Sequence, residues 1–452
     1  MRKPTISSFA GIPCPKNSRL PIKSLDVTSP TAASPPEPVT ALSTAPTVIF
    51  QKNANDVPIP SLEQAKEQIL ANRQLQGPCG GLQITGGDVA DAYWKSGRVD
   101  ELVEIIRFTK TTGLEPMLMT HGQTLIEHPD FLERLVVEGG LRQVAVHIDM
   151  TQAGRKGYPI QRIQHEADLH PVRHSFTELA LRIREKTGLP LELAHNCTVT
   201  RKNIGDVADI VRWFLARPER SQIWRVVSFQ PEADTGRTHF SEIPITPADV
   251  WLQIQKGIGH PVRREATIFG HPDCNSWAPV MVARPSGNYF PLLPLDAKWD
   301  PMLGQVLESV RGLQLMNDDA GTPFFRVMGV ICKNPLVLAK LLLYGLEGLT
   351  SGLISFPMLL AMFGNRTHTI GFGIHNFMDA AMVARADSDP VVKARLDSCV
   401  FKGAVKRHGV WEAVPMCSMN QKSWSDLYQE RLDDPALKQQ AQVPGFRAVG
   451  EP

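Results

Sequence analysis

The chain has 452 residues, 42% of them hydrophobic, and its 48 Lys and Arg against 46 Asp and Glu leave a formal charge of +2. Taken over the whole chain, that balance gives no electrostatic footprint for nucleic acid or an anionic membrane. The length allows about three domains of roughly 150 residues, or one α/β barrel with an extension. Seven cysteines, an odd number at 14, 79, 197, 274, 332, 399 and 417, are too scattered for a secreted disulfide framework, so a reducing, cytoplasmic setting is expected.

Residues 1–46 read as a disordered tail. Pro, Ser, Thr and Ala dominate Pro30–Thr47, and no apolar periodicity offsets the entropy of ordering the backbone. Arg2, Lys3, Lys16, Arg19 and Lys23 precede the first acid, Asp26, which gives the segment the basic look of an organellar presequence; a linker-like tail is the simpler reading.

From Ser61 the chain alternates helix and strand signals in the rhythm of a parallel α/β fold. Helices are predicted from Ser61 to about Arg73, over Val99–Thr112, Pro129–Val137, His174–Thr187 and Gly205–Ala216. Strands are predicted over Gly80–Thr85, Glu115–Thr120, Gln143–Asp149, Pro190–Thr200 and Trp224–Gln230. The strand ends are polar: Thr85-Gly86-Gly87-Asp88, Thr120-His121, His147 with Asp149, His195-Asn196 and Phe229-Gln230-Pro231. Any one of these could be a turn or cap. Five at the same end of successive strands point to a polar ligand bound there.

Leu82-Gln83-Ile84-Thr85-Gly86-Gly87-Asp88 resembles the second-strand motif of the radical S-adenosylmethionine (SAM) superfamily, with Asp88 where that family usually has Glu. Val146–Asp149 is similar to the end of its fourth strand, and His195–Val199 with Asn203-Ile204-Gly205-Asp206 to its fifth. Phe229-Gln230-Pro231 with Gly236-Arg237 resembles the sixth-strand end of the branch that contains pterin-directed methyltransferase-like and tetraether-lipid synthase-like proteins. The resemblance covers about 50–240. It implies a partial (β/α)6 TIM-like barrel over 48–245, with SAM held by Gly86, Gly87 and Asp88 at its amino acid end and met by Asp149, Asn196 and Gln230 elsewhere.

Beyond the barrel, His271-Pro272-Asp273-Cys274, His375-Asn376-Phe377-Met378-Asp379, Ser398-Cys399 and Pro415–Asn420 are similar to segments of the same branch. The resemblance implies an α+β C-terminal domain over 246–420 that gathers Cys274, Cys399 and Cys417 around an auxiliary iron–sulfur cluster, with Cys332 or His271 as a fourth ligand. Thiolates suit such a cluster. Buried free thiols are the alternative, because no C-x2-C pair anchors the site. Cys79 and Cys197, beside barrel strands, are expected in the core, and 421–452 is expected to be a polar helical tail.

One family feature is absent. The C-x3-C-x2-C loop that holds the 4Fe-4S cluster of radical SAM enzymes would place its ligands at Leu42, Pro46 and Ile49, none of which binds iron, and Cys14 is the only cysteine upstream. Either unrelated sequence stands where that loop belongs, or the chain is a SAM-binding descendant without the cluster. The resemblance implies radical modification of an unactivated carbon, by methylation or C–C bond formation, with electrons from a flavodoxin- or ferredoxin-like donor. The alternative is a non-catalytic SAM-binding or regulatory protein.

Phe324–Phe363 is strongly apolar and carries no charge between Glu347 and Arg366, but Pro357, several glycines and the nearby Lys340 argue against a membrane span. The run fits a helical pair over the barrel mouth, or an apolar channel or membrane-surface contact serving a lipid-like substrate. There is no G-x-S-x-G elbow, Walker loop, H-E-x-x-H or dinucleotide fingerprint. His165, His170 and His174 invite a metal reading, but their setting with Arg162, Glu166 and Arg173 reads as a solvated loop.

Overall fold

The computed structural model describes residues 59–419 apart from 77–80, 87, 153–154, 235–244, 265–267, 293–295, 310–327, 330, 365 and 408. The chain separates into units 1–37 and 38–452, and every described residue lies in the second. The tails at 1–46 and 421–452, with Gly87 and Cys79, lie outside the described residues.

In chain order the elements are α1 (Leu62–Gln76), β1 (Gly81–Ile84), α2 (Val89–Lys95), α3 (Val99–Thr111), β2 (Glu115–Thr120), α4 (Gln123–Glu127), α5 (Pro129–Val137) and β3 (Gln143–His147). Next come α6 (His170–Thr187), β4 (Glu192–Val199), α7 (Val207–Leu215), α8 (Pro218–Ile223), β5 (Trp224–Pro231), α9 (Pro247–Ile258), β6 (Ile268–Phe269), β7 (Asn275–Ala283) and β8 (Tyr289–Pro291). The last are α10 (Asp300–Ser309), α11 (Pro335–Thr350), α12 (Phe356–Phe363), β9 (Thr367–His375), α13 (Ala380–Val383), α14 (Pro390–Asp397), the hairpin β10 (Lys402–Arg407) and β11 (Val410–Pro415), and α15 (Met416–Met419).

Local chemistry sets these boundaries. In α3 the buried Leu102, Val103, Ile105, Ile106 and Thr109 form one stripe at helical spacing, while Asp100 and Glu101 occupy the first turn, where the helix dipole favours acids. Helix α6 starts at His170, four residues before the expected His174, because Pro171 fits its first turn, and it stops at Gly188 in the left-handed region. Thr246 and Asp249 close a reciprocal capping box on α9. The short helices α2, α4 and α8 had no counterpart in the predicted series, since five to seven residues carry too little periodicity to announce a helix.

The fold is mixed α/β around a mostly parallel sheet. Strands β1 to β5 run parallel in chain order, β9 joins parallel to β5, and β7, β6 and β8 continue the sheet antiparallel. Residues 81–375 therefore contribute to one sheet, and the sixth parallel strand comes from 367–375, past the apolar run. Alternate residues such as Leu82, Leu118, Val144, Val146, Leu193, Cys197, Val227, Phe229 and Phe372 lie in the main core with the buried faces of the helices. On α9, Gly257 lets the helix close on α7, since a Cβ there would lie 2.5 Å from Val211 Cβ. Among the described residues no helix is long and apolar enough to cross a membrane.

Helices α11 and α12 form the expected helical pair, placed at the other end of the strands from the polar residues. Met358 and Ala361 of α12 pack on Ala283 and Phe290, and Ala283 pairs with Thr367 at the start of β9. The site-bearing strand ends lie where β9 finishes. Covering that mouth is thus not the role of this pair.

Candidate functional site

The residues whose side chains alternate with the core positions form rows across the sheet, because strand periodicity sends them to the face turned away from His195 and its helical neighbours. One row runs His147 on β3, Asn196 on β4, Ser228 on β5, Gly373 on β9 and Trp277 on β7, each in register with the next. The row beneath is small: Ala145, Ala194, Val226 and Gly371. Above it Thr198 stands beside Gln230. Gly373 makes room for the Trp277 ring, whose Cε3 would lie 2.6 Å from a Cβ there.

Two polar atoms of this row are buried without partners among the described residues: Asn196 Nδ2 and Ser228 Oγ, in side chains almost wholly removed from solvent. Arg155 closes the C-terminal ends of β2 and β3. Its Nη2 donates to the carbonyls of His121, at 2.9 Å, and His147, while Nε and Nη1, also buried, have no partner among the described residues. Burial, with the charge of Arg173 adding to it, holds the guanidinium down to about 10 against the opposing charges of Asp149 and Asp88. An unpaired buried cation costs several kcal/mol, on the order of 3–5 when a partner is removed, so the arrangement favours an incoming anion.

Asp88 stands at the end of β1. It caps α2 by accepting from Asp91 N at 3.4 Å, and it accepts a hydrogen bond from Thr120 Oγ1. Burial raises its carboxyl above the usual range, opposed by the Thr120 and Asp91 hydrogen bonds and by the charge of Arg155. Gly86, buried with φ 124°, takes a conformation that suits glycine, which brings the β1 backbone through the turn before Asp88. One acid and one guanidinium thus face a shared strand-end region, with Asn196 and Ser228 in the adjacent row. His147 at its edge is held below its ordinary value by burial.

The other predicted residues are placed as follows. Asp149 is fully buried and engaged: Oδ1 accepts from Thr151 N at 2.8 Å and Thr151 Oγ1 at 2.5 Å, and Oδ2 accepts from Thr198 N at 2.8 Å. It ties the end of β3 to β4. Gln230 is half-buried beside Thr198, on the same face as Asn196 and Ser228. Arg155 and Ser228 were missed by sequence reasoning. Gly154-Arg155-Lys156-Gly157, a basic pair between glycines after a strand, was a usable signal for the first; nothing marked the second.

Cys274, Cys399 and Cys417 are brought together from distant segments. Cys417 is pushed up to about 12, chiefly by burial, with the charges of Cys399 and Cys274 adding to the shift, and Cys399 is raised by burial with a contribution from Cys274. Each sulfur also has a protein partner: Arg395 Nε donates to Cys274 at 3.3 Å, Met378 N donates to Cys417 at 3.4 Å, and Cys399 donates to Phe401 O at 3.0 Å. The three thiols are thus bonded within the chain as placed, and among the described residues no three His, Cys, Asp or Glu side chains are arranged to hold a metal ion. Cys332 is exposed, and Cys197 is buried as expected. The loop histidines, by contrast, do not converge: His165 and His174 are exposed, while His170 packs on Trp213. A separate cavity of about 280 Å³, lined by His260, Asn288, Tyr289, Ser355 and Met358 among others, opens beside the α11–α12 turn and holds none of the strand-end residues.

No family model matches the chain, and no curated protein matches it. Solved structures similar to it include a protein assigned as a lyase/mutase from Burkholderia cenocepacia J2315, at 15% identity and TM-score 0.28 over 49% of this chain and 67% of that one. Another is the AHE enzyme from Alicyclobacillus herbarius, at 11% identity and TM-score 0.27 over 45% and 68%. Likeness at that level carries no argument about function.

Proposed function

We propose that the strand-end site binds S-adenosylmethionine by its zwitterionic end, with Asp88 toward the ammonium and Arg155 toward the carboxylate, in a chain of the radical SAM type whose parallel strands form a partial barrel. The observation that carries this reading is the buried Arg155 guanidinium with two unpartnered nitrogens in the field of Asp88. A charge-assisted hydrogen bond donated by the guanidinium to a carboxylate would satisfy it, and the same ligand would offer Asp88 a cation. Asn196 and Ser228 would bond the polar part of the ligand that extends over the small row of Ala145, Ala194 and Gly371.

Beside a reduced 4Fe-4S cluster, bound SAM would supply radical chemistry able to take hydrogen from an unactivated carbon, the cleaved SAM leaving methionine. The chain's own residues would orient the ligand and exclude water, with the apolar Trp277 side chain in the same row as Asn196 and Ser228. An apolar or lipid-like substrate suits that surface, with methylation or C–C bond formation as the outcome and a flavodoxin- or ferredoxin-like electron donor. A second reading, SAM binding without radical chemistry, is favoured by one specific observation: Leu42, Pro46 and Ile49 occupy the positions where cluster ligands would fall.

Calorimetric titration of the full chain with SAM tests the binding reading. Saturable binding that Arg155→Gln weakens at least about tenfold supports it; no binding, or equal binding by the variant, overturns it. Low-temperature EPR after anaerobic reconstitution with iron and sulfide then separates the two readings. A reduced-cluster signal that shifts on adding SAM supports the radical enzyme, and SAM binding without such a signal supports the second reading.

A further inference from the structure

Helix α11 is apolar on both sides. Val337, Leu341, Tyr344 and Gly348 face inward, with Trp299, Met302 and Ile354 among their neighbours. On the outward side Leu336, Leu342, Leu343 and Leu346, continued by Phe356 and Leu360 of α12, are between 55% and 68% exposed. Water-facing helix positions normally carry polar residues, so a leucine-rich outer face needs something to cover it.

The charges around the face decide what that is. Lys333 just before α11, Lys340 within it and Arg366 just past α12 are exposed, and the only acid in the sequence from 328 to 366 is Glu347, already held by Lys298 Nζ at 2.9 Å and by Trp299 Nε1 at 3.2 Å. The free charge of the patch is therefore basic. Two copies meeting through this face across a two-fold axis would set those cations against each other. A surface of anionic headgroups over acyl chains complements both features. With 16 and 8 residues, the helices are suited to lie in the interface and too short to span it.

We propose that the outward face of α11 and α12 docks this protein on an anionic lipid bilayer, leucines in the acyl boundary and Lys333, Lys340 and Arg366 among the headgroups. This does not depend on the SAM reading. Because the pair packs where β9 begins, and the candidate site lies where β9 ends, docking leaves the site facing away from the bilayer.

Flotation of the full chain with vesicles of phosphatidylcholine, alone or mixed with phosphatidylglycerol, tests the proposal. The chain should float with the mixed vesicles and far less with phosphatidylcholine alone. Lys333→Gln with Lys340→Gln should lower partition into mixed vesicles about tenfold, since each surface cation adds a severalfold attraction. Leu342→Asp with Leu346→Asp should abolish flotation and leave the far-ultraviolet circular dichroism unchanged, because both side chains are exposed. Failure of the unmodified chain to float with mixed vesicles overturns the proposal, as does flotation of the aspartate variant at the unmodified level. A dimer seen by light scattering that the aspartate substitutions dissolve would assign the face to a second copy, and also overturns it.

Discussion

Two buried arginines lie on opposite sides of the same strands, and their surroundings differ. Arg173, on the helical side of β3 and β4, is fully enclosed and saturated: it bonds Glu166 Oε2 and Glu166 O at 2.6 Å, Ile148 O at 3.2 Å and His195 Nε2 at 3.1 Å, with His170 Nδ1 at 3.1 Å. Glu166 in turn accepts from Met150 N and Asn203 Nδ2, both at 2.9 Å. Arg155, at the mouth of the strands, is almost as buried but among the described residues bonds only two carbonyls through one nitrogen. A buried charge with every donor paired holds a structure together, whereas one with idle donors is built for something outside the chain. That contrast separates the scaffold of this protein from its site.

The largest effect expected from breaking it lies at Arg173. Arg173→Gln should destabilise the chain by about 3–5 kcal/mol, because Glu166 is left as a buried charge without its cation; chemical denaturation measures the loss, and a loss below about 1 kcal/mol would show that the network is replaceable.

Acid should loosen the same side next. Burial, with the charges of Arg173 and Arg220, holds His170 down to about 4, and burial, with Arg284 and Arg225, holds His368 to about 4. The unfolded chain takes up those protons near the ordinary 6.5, so the stability from the neutral rings is complete above that value and lost as pH falls toward 4. Roughly 2 kcal/mol for each ring is expected after allowing for solvent screening, and His170→Gln should remove one ring's share, about half of the two-ring slope of the denaturation midpoint between those pH values.

Gly373→Ala probes the ligand-side face. The new Cβ would meet the Trp277 ring at 2.6 Å, and a loss of about 1–3 kcal/mol in thermal or chemical unfolding is expected as the ring is displaced. An unchanged stability would mean that Trp277 gives way freely.

The smallest stability effect is expected at Arg155. Arg155→Gln should change unfolding free energy by less than about 1 kcal/mol, since two lost carbonyl bonds are offset by removing an unpaired buried charge. A loss as large as that of Arg173→Gln would make Arg155 part of the scaffold and remove the comparison.

Much of the scaffold was legible in the residues. Strands at Glu115–Thr120 and Gln143–His147 and the helix at Pro129–Val137 follow from short apolar runs and helical stripes whose periods are local properties. The polar ends at Asp88, His147 and Asn196 were legible for the same reason: a polar group ending a buried strand breaks a local pattern. Helix α8 was not, because six residues beginning with Pro218 hold no period. Strand β9 was not placed either, since its pairing beside β5 joins residues almost 150 positions apart.

The sequence by itself determined which stretches alternate, which faces they bury and that the strand ends are polar, because those depend on side chains two to four positions apart. Only the tertiary structure decided that Arg155 reaches back over His121 and His147 with two donors idle, and that Ser228 falls in line with Asn196. It also decided that three cysteines converge and that the apolar helices sit away from the site. Each of these is a meeting of residues distant in the chain, set by strand register and by which buried charge finds a partner.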